Sequence, residues 1–427
     1  MTPAARIAAT IEILDEIAQA DSPADAILAN WFRNHRFAGS KDRRGVRELV
    51  YRDLRKGSLL RWLCTSMDAD PTSARVRVIL ASEQEGAGTA HSRFDGSKYG
   101  PEQMSIPETE YVAALHATEI SHAPTWVNAN CPEHLFPLFF DQWGDTAIAE
   151  AAALNERAPV DLRVNTLKNN REAAQAALLA AGYETEPTPF STIGLRGTEH
   201  SNFSSLEPFK TGMVEPQDES SQLVAQLVDA KPGMQVIDLC AGAGGKALAL
   251  SAMMENQGEV VACDTLVSRL TRMGPRRDRI GANNLRTLPV QTGIVPDELV
   301  GWGDRVLVDA PCSGSGTWRR SPELRWRTDS DIIAAYTATQ SGLLATAASM
   351  VKPGGRLIYA VCSVFDAEGR DVAQAFEASH AEFKRVPIAD VLGAEGAEAL
   401  NAGEEMILTP HRHATDGMYA AVFERAA

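Results

Sequence analysis

Two cysteines stand where a thiol could do covalent work. Cys312 closes the run Asp309-Ala-Pro-Cys312, and Cys362 lies within Tyr359-Ala-Val-Cys-Ser363. Each follows a short apolar run, so both fall just past the carboxyl ends of predicted neighbouring strands, where open α/β sheets place their ligands. One such Cys is more often a small buried hydrophobe than a nucleophile. Two of them, one three residues after an Asp, suggest a reaction. A thiolate adding to carbon 6 of a pyrimidine turns carbon 5 into an enamine-like nucleophile toward a methyl donor. Charge developing on the ring needs an acidic or hydrogen-bonding group at nitrogen 3, a task for Asp309 once burial raises its pKa. A base then removes the carbon 5 proton and the thiolate leaves, a step that a second Cys can assist. The base must also leave its stack, which is least costly in unpaired RNA. The residues alone do not say which thiol is the nucleophile. Cys64, Cys131 and Cys263 read as core residues and Cys240 as packing within a turn. With no Cys-x-x-Cys pair, neither a zinc ribbon nor a redox dithiol is suggested, and no metal is expected.

A second site precedes these thiols. Val236-Ile-Asp-Leu-Cys-Ala-Gly-Ala-Gly-Gly-Lys246 runs from a predicted strand into a helix, with Gly242, Gly244 and Gly245 permitting a tight turn and close ligand approach. The next strand ends at Asp264, placed to accept both hydroxyls of a ribose. The turn lacks the Gly-x-Gly-x-x-Gly of a dinucleotide site, which disfavours a nicotinamide-dependent oxidoreductase, and no Lys-Ser/Thr follows as in a phosphate-cradling loop. A nucleoside cofactor without phosphates suits it, and S-adenosylmethionine fits.

The elements that must position these sites follow. Apolar runs at 236–240, 260–263, 306–308 and 357–362, separated by helical stretches, predict a doubly wound parallel sheet from about residue 216. Residues 405–408 and 419–423 predict an antiparallel hairpin at its edge. Residues 1–122 read as a helical domain, with a Gly/Ser/Glu-rich surface excursion or linker near 82–107. Residues 123–215 read as a small α+β segment. The uncharged stretch 332–351 is long enough to span a bilayer, but its polar residues and one-sided apolar spacing predict a buried amphipathic helix. No secretory signal is seen, so a cytoplasmic protein without membrane association is expected.

In these motifs the chain resembles the RsmB/Sun family of RNA cytosine-5 methyltransferases, from about Pro23 to Phe423. The resemblance rests on Arg163-Val-Asn-Thr-Leu-Lys168, Gln217-Asp-Glu-Ser-Ser-Gln222, the 240–246 turn, Asp309-Ala-Pro-Cys312, Val361-Cys-Ser363 and Asp416-Gly-Met418. It implies a Rossmann-like class I methyltransferase domain (216–427), the small α+β RNA-binding segment (123–215), and an N-terminal NusB-like RNA-binding domain (1–122). It implies that Cys362 is the nucleophile and Cys312 the release thiol. Cys240, Ala241, Gly242, Ala243, Gly244, Gly245, Lys246, Asp264, Arg269, Thr292 and Asp309 would line the S-adenosylmethionine site. The substrate implied is RNA, ribosomal first and transfer RNA second, acted on by a monomer. A catalytically weak ribosome-assembly factor is the competing reading. The chain departs from the family at Ala243, where a Pro is usual, at Val361, where a Thr is usual, and at Thr292, where an Asp is usual. It departs again in 365–370, a segment that is usually rich in Glu and Asn.

The formal net charge of -15 argues at first against a nucleic-acid partner. The charge is segregated, however. Residues 33–61 hold ten Lys/Arg against three Asp/Glu, 265–286 six Arg against one Asp, and 319–327 four Arg against one Glu. These segments predict a basic, RNA-facing side on an acidic body, the last of them forming a rim beside the Pro-Cys loop.

Overall fold

The computed structural model describes residues 1–198 and 203–427. They form two compact units, one of residues 1–156 and 318–329, the other of residues 157–317 and 330–427.

The first unit is helical. Its opening helix, Pro3–Gln19, is capped by the Thr2 hydroxyl, which accepts from the Ala5 N–H at 3.1 Å, and Pro3 supplies a fixed φ at its start. Its apolar stripe (Ile7, Ile13, Leu14, Ile17) packs with Leu28, Trp31, Val46 and Val50 from the helices Ala24–Asn34 and Ser40–Arg55. The excursion predicted near 82–107 is instead folded onto this core. The Glu83 carboxylate accepts from the N–H groups of Gly88 and Ala90, and Ala90 and Phe94 are buried. Its Gly and Ser content reflects turns, and two well-placed apolar residues suffice to anchor it.

Residues 318–329 correct a second expectation. Arg325 is fully buried, donating to the carbonyls of Asn130 at 3.1 Å and Leu154 at 3.0 Å. Arg327 donates to the Ile17 carbonyl at 2.8 Å, and the Trp326 indole to the Leu54 carbonyl at 2.8 Å. Arg325 and Arg327 are therefore internal pegs of the helical unit, and of the predicted rim Arg320 stays exposed. Arginine suits the task because one planar guanidinium can satisfy several otherwise orphaned carbonyls.

The second unit holds two sheets. In the smaller, β1 (Asp161–Val164), β2 (Thr185–Pro187), β3 (Gly194–Gly197) and β4 (Val214–Pro216) pair antiparallel in the order β2-β3-β1-β4. The larger contains β5 (Gln235–Asp238), β6 (Glu259–Asp264), β7 (Leu285–Pro289), β8 (Gly303–Asp309), β9 (Val351–Val361), β10 (Phe383–Val386), β11 (Glu405–Leu408) and β12 (Met418–Arg425). Their order is β10-β12-β9-β8-β5-β6-β7, with β11 also on β12. Strands β5 to β9 run parallel, and β5, β6, β8 and β9 are buried on both faces by Val, Ile, Leu and Ala, while β7 at the border is partly exposed. The chain winds outward from β5 through β6 to β7, then returns to the other side of β5 with β8. The switch point between β5 and β8 is where such sheets open a ligand crevice. The predicted hairpin forms, with Glu405 opposite Ala421 and Leu408 opposite Met418, but β12 lies inside the sheet, paired also with β9 and β10. The predicted amphipathic helix is Ser330–Ala348, burying Ile333, Leu344 and Ala347. No described helix is long and apolar enough to cross a membrane.

Candidate active site

The glycine turn, Asp264, Asp309 and both candidate thiols gather at the carboxyl ends of β5, β6, β8 and β9. The turn after β5 holds Gly242 at φ 56° and Gly244 at φ 87°, conformations open to glycine at little cost. The helix Gly245–Met253 begins at once. Asp264, ending β6, accepts from the Gly242 N–H at 2.9 Å and the Leu266 N–H at 2.7 Å. Each of its oxygens keeps a lone pair for a ribose hydroxyl. Arg269 lies 3.9 Å from Asp264 and Thr292 is exposed in the turn after β7. Cys240 lies beneath the turn, where burial and the surrounding carboxylates, Asp238 first, hold its thiol well above the usual range. Burial likewise pushes Cys64 up to about 11, and Cys131 and Cys263 each up to about 12. These four are inert thiols.

Two carboxylates differ from expectation. Asp309 is not deeply buried; its side chain keeps 29% exposure and its Oδ2 lies 2.6 Å from Lys246 Nζ. Lys246 belongs as much to Asp309 as to the cofactor turn. Burial works against its charge, but Asp309 and, after it, Cys362 outweigh this and raise its pKa. The second is Asp238, which the sequence reading passed over. It ends β5 fully enclosed, faced by the Ala247 N–H of the next helix and by no side-chain donor among the described residues. Burial first, then the charge of Asp309, raise its pKa to about 7. A buried carboxylate with so little compensation under a glycine turn, close to Asp264, fits a cofactor that carries positive charge and no phosphate, as S-adenosylmethionine does.

The thiols meet. Cys312 Sγ and Cys362 Sγ are 3.3 Å apart, both partly exposed. Asp309 pairs with Ala360 across β8 and β9, so the loops after the two strands start level. The Cys312 thiol is raised well above its usual range, chiefly by its hydrogen bond to Cys362 and then by burial. Behind them Glu368 binds both loops, a role the sequence signalled only as an acidic residue in the atypical 365–370 segment.

A parallel sheet with an antiparallel strand inserted next to its border, and with a glycine turn and an acidic strand end at its switch point, defines an S-adenosylmethionine-dependent methyltransferase. Residues 225–424 match the family described as 16S rRNA methyltransferase RsmB/F, and residues 131–202 its ferredoxin-like domain. The chain belongs to this RsmB/F family. It is 30% identical to the ribosomal RNA small subunit methyltransferase B of Yersinia enterocolitica, across 89% of this chain and 90% of that one. A probable ribosomal RNA small subunit methyltransferase B of Synechocystis is 32% identical over 69% of this chain and 67% of its own length. Among solved structures, a methyltransferase homologue from Pyrococcus horikoshii shares 27% identity over 72% of this chain and 100% of its own, with a TM-score of 0.61.

Proposed function

We propose that the chain methylates carbon 5 of a cytosine in ribosomal RNA of the small subunit through a covalent adduct on Cys362. The observation that carries the reading is the pair of thiols 3.3 Å apart, beside the Lys246–Asp309 ion pair. The substrate class follows from relatives named for small-subunit ribosomal RNA methylation. One feature favours Cys362 over Cys312 as nucleophile: the Lys246 ammonium is close enough for a Cys362 thiolate to raise its pKa.

The residues then act in order. Cys362 attacks carbon 6 of the cytosine, and electron density moves to carbon 5 and toward nitrogen 3. Asp309 addresses nitrogen 3, and its ion pair with Lys246 holds a proton that can be shared as charge builds on the ring. S-adenosylmethionine supplies the electrophilic methyl group; Asp264 is assigned its ribose, Asp238 its positive end, and residues 241–245 its close approach. A base removes the carbon 5 proton, the carbon 5–carbon 6 double bond re-forms, and the electron pair of the broken carbon–sulfur bond returns to Cys362. Cys312 assists this release. Bisulfite sequencing of ribosomal RNA, with and without the gene, tests the product. The reading requires one or more cytosines protected only when the gene is present; identical maps would overturn it.

A further inference from the structure

We propose that Glu368 is a positioning residue that locks the Cys312 and Cys362 loops together and so sets the spacing of the two thiols. The inference deepens the reading above and rests on it for the thiols' roles. Glu368 lies in the turn between β9 and the helix Arg370–Ser379, fully buried. A carboxylate there is costly unless its lone pairs are filled. They are filled from the two residues that follow the two cysteines. Oε1 accepts from the Ser313 N–H at 2.8 Å, and Oε2 accepts from the Ser313 and Ser363 hydroxyls at 2.5 and 2.6 Å. Gln340 donates to Oε1 at 3.3 Å and to the Pro311 carbonyl at 3.1 Å, tying in the residue before Cys312. The Glu368 carbonyl accepts from the Tyr359 hydroxyl, anchoring the turn to β9 itself. Ser315 completes the lattice, its hydroxyl 2.8 Å from that of Ser363 and accepting from the Val364 N–H at 2.9 Å.

One carboxylate thus holds a donor immediately after each thiol. Cys312 and Cys362 lie on loops from different strands, and this cross-link braces their 3.3 Å separation together with the Gly316 N–H, which donates to the Cys362 carbonyl at 3.0 Å. The negative charge also acts on Cys312, adding to its hydrogen bond with Cys362 and to burial in keeping its thiol protonated. Gly369 allows the turn to close, because a Cβ there would lie 2.7 Å from Cγ of Tyr419.

The test uses Glu368→Gln in the full chain, with three readouts. Turnover should fall about 100-fold, the scale expected when a reacting group is misplaced by 1 Å, while KM for S-adenosylmethionine stays unchanged. The pH at which Cys312 becomes half-reactive to iodoacetamide, followed by mass spectrometry, should move down. Bridging of Cys312 and Cys362 by phenylarsine oxide should be lost. An unchanged Cys312 profile together with intact bridging overturns the proposal, whatever the turnover. Should Glu368→Gln not fold, Ser313→Ala removes a single donor but keeps the charge, so the Cys312 profile should not move down while bridging weakens; wild-type bridging there also overturns the proposal. Alkylation and bridging need neither RNA nor cofactor, so a failure of this inference is distinguishable from a failure of the RNA-methylation reading.

Discussion

Asp238 has the least comfortable side chain in the site. Its carboxyl has a pKa of about 7 in the folded chain against 3.8 in model peptides, chiefly through burial. Between those values the folded state binds more protons than the unfolded one. The contribution of Asp238 to stability is therefore fullest below about pH 4 and declines as pH rises toward 7, at about 1.4 kcal/mol per unit. Asp238→Asn should melt higher than wild type at pH 8, with the gain shrinking toward pH 4, and should weaken S-adenosylmethionine binding measured by calorimetry. A variant no more stable at pH 8 contradicts the burial penalty. Asp238 and Glu368 were hard to read from sequence for the same reason. A lone acidic residue is ordinarily a solvated one, and only the packing of distant segments decides that these two are enclosed. Cys312, Cys362 and Asp309 were legible because their motifs sit at strand ends. The partnership of Lys246 with Asp309 was not, since it joins residues 63 apart.

Among the elements, the parallel strands β5, β6, β8 and β9 were plain in their apolar runs, and so was the β11–β12 pairing, whereas β7, broken by Arg286 and Thr287, shows no such run. The edge was not: β10 is short and half exposed, with no pattern of its own, so β12 was expected at the border it in fact lies inside. The Asp416-Gly-Met418 motif gains a physical reason. Gly417 donates to the Gly316 carbonyl at 2.8 Å, and a Cβ on Gly316 would lie 2.1 Å from the Gly417 carbonyl oxygen. The loop carrying Cys312 and the entry to β12 meet backbone to backbone. Gly316→Ala should cost about 1–3 kcal/mol by overpacking, read as a lowered denaturant midpoint; no loss would contradict that closeness. In the cofactor turn, Gly244→Ala meets both a φ of 87° and the Met273 side chain, with Cγ at 2.5 Å. It should weaken S-adenosylmethionine binding without altering alkylation of Cys362, and unchanged affinity by calorimetry would contradict the turn's role.

For the whole molecule, the charge segregation seen in the sequence survives only in part. Arg325 and Arg327 are spent on carbonyls inside the helical unit, Arg276 and Arg279 on Glu215, and Arg286 on Glu259 and Glu298. Residues 33–44 keep Arg33, Arg36, Lys41 and Arg44 exposed, with Phe37 70% exposed among them. Cations around an open aromatic suit unpaired RNA, where phosphates and base faces are both accessible. Reversing Arg36 and Arg44 to Glu should weaken RNA binding and flatten its dependence on salt, whereas Arg327→Ala should lower stability and leave the salt slope as it was. An unchanged slope in the double reversal would assign the RNA contact elsewhere. The central claim concerns the two thiols, and trapping tests it most directly. When Cys312→Ala is incubated with S-adenosylmethionine and small-subunit RNA from cells lacking the gene, a protein–RNA adduct should survive a denaturing gel, and Cys362→Ala in the same chain should abolish it. No adduct on loss of Cys312, or an adduct that persists without Cys362, would contradict the account.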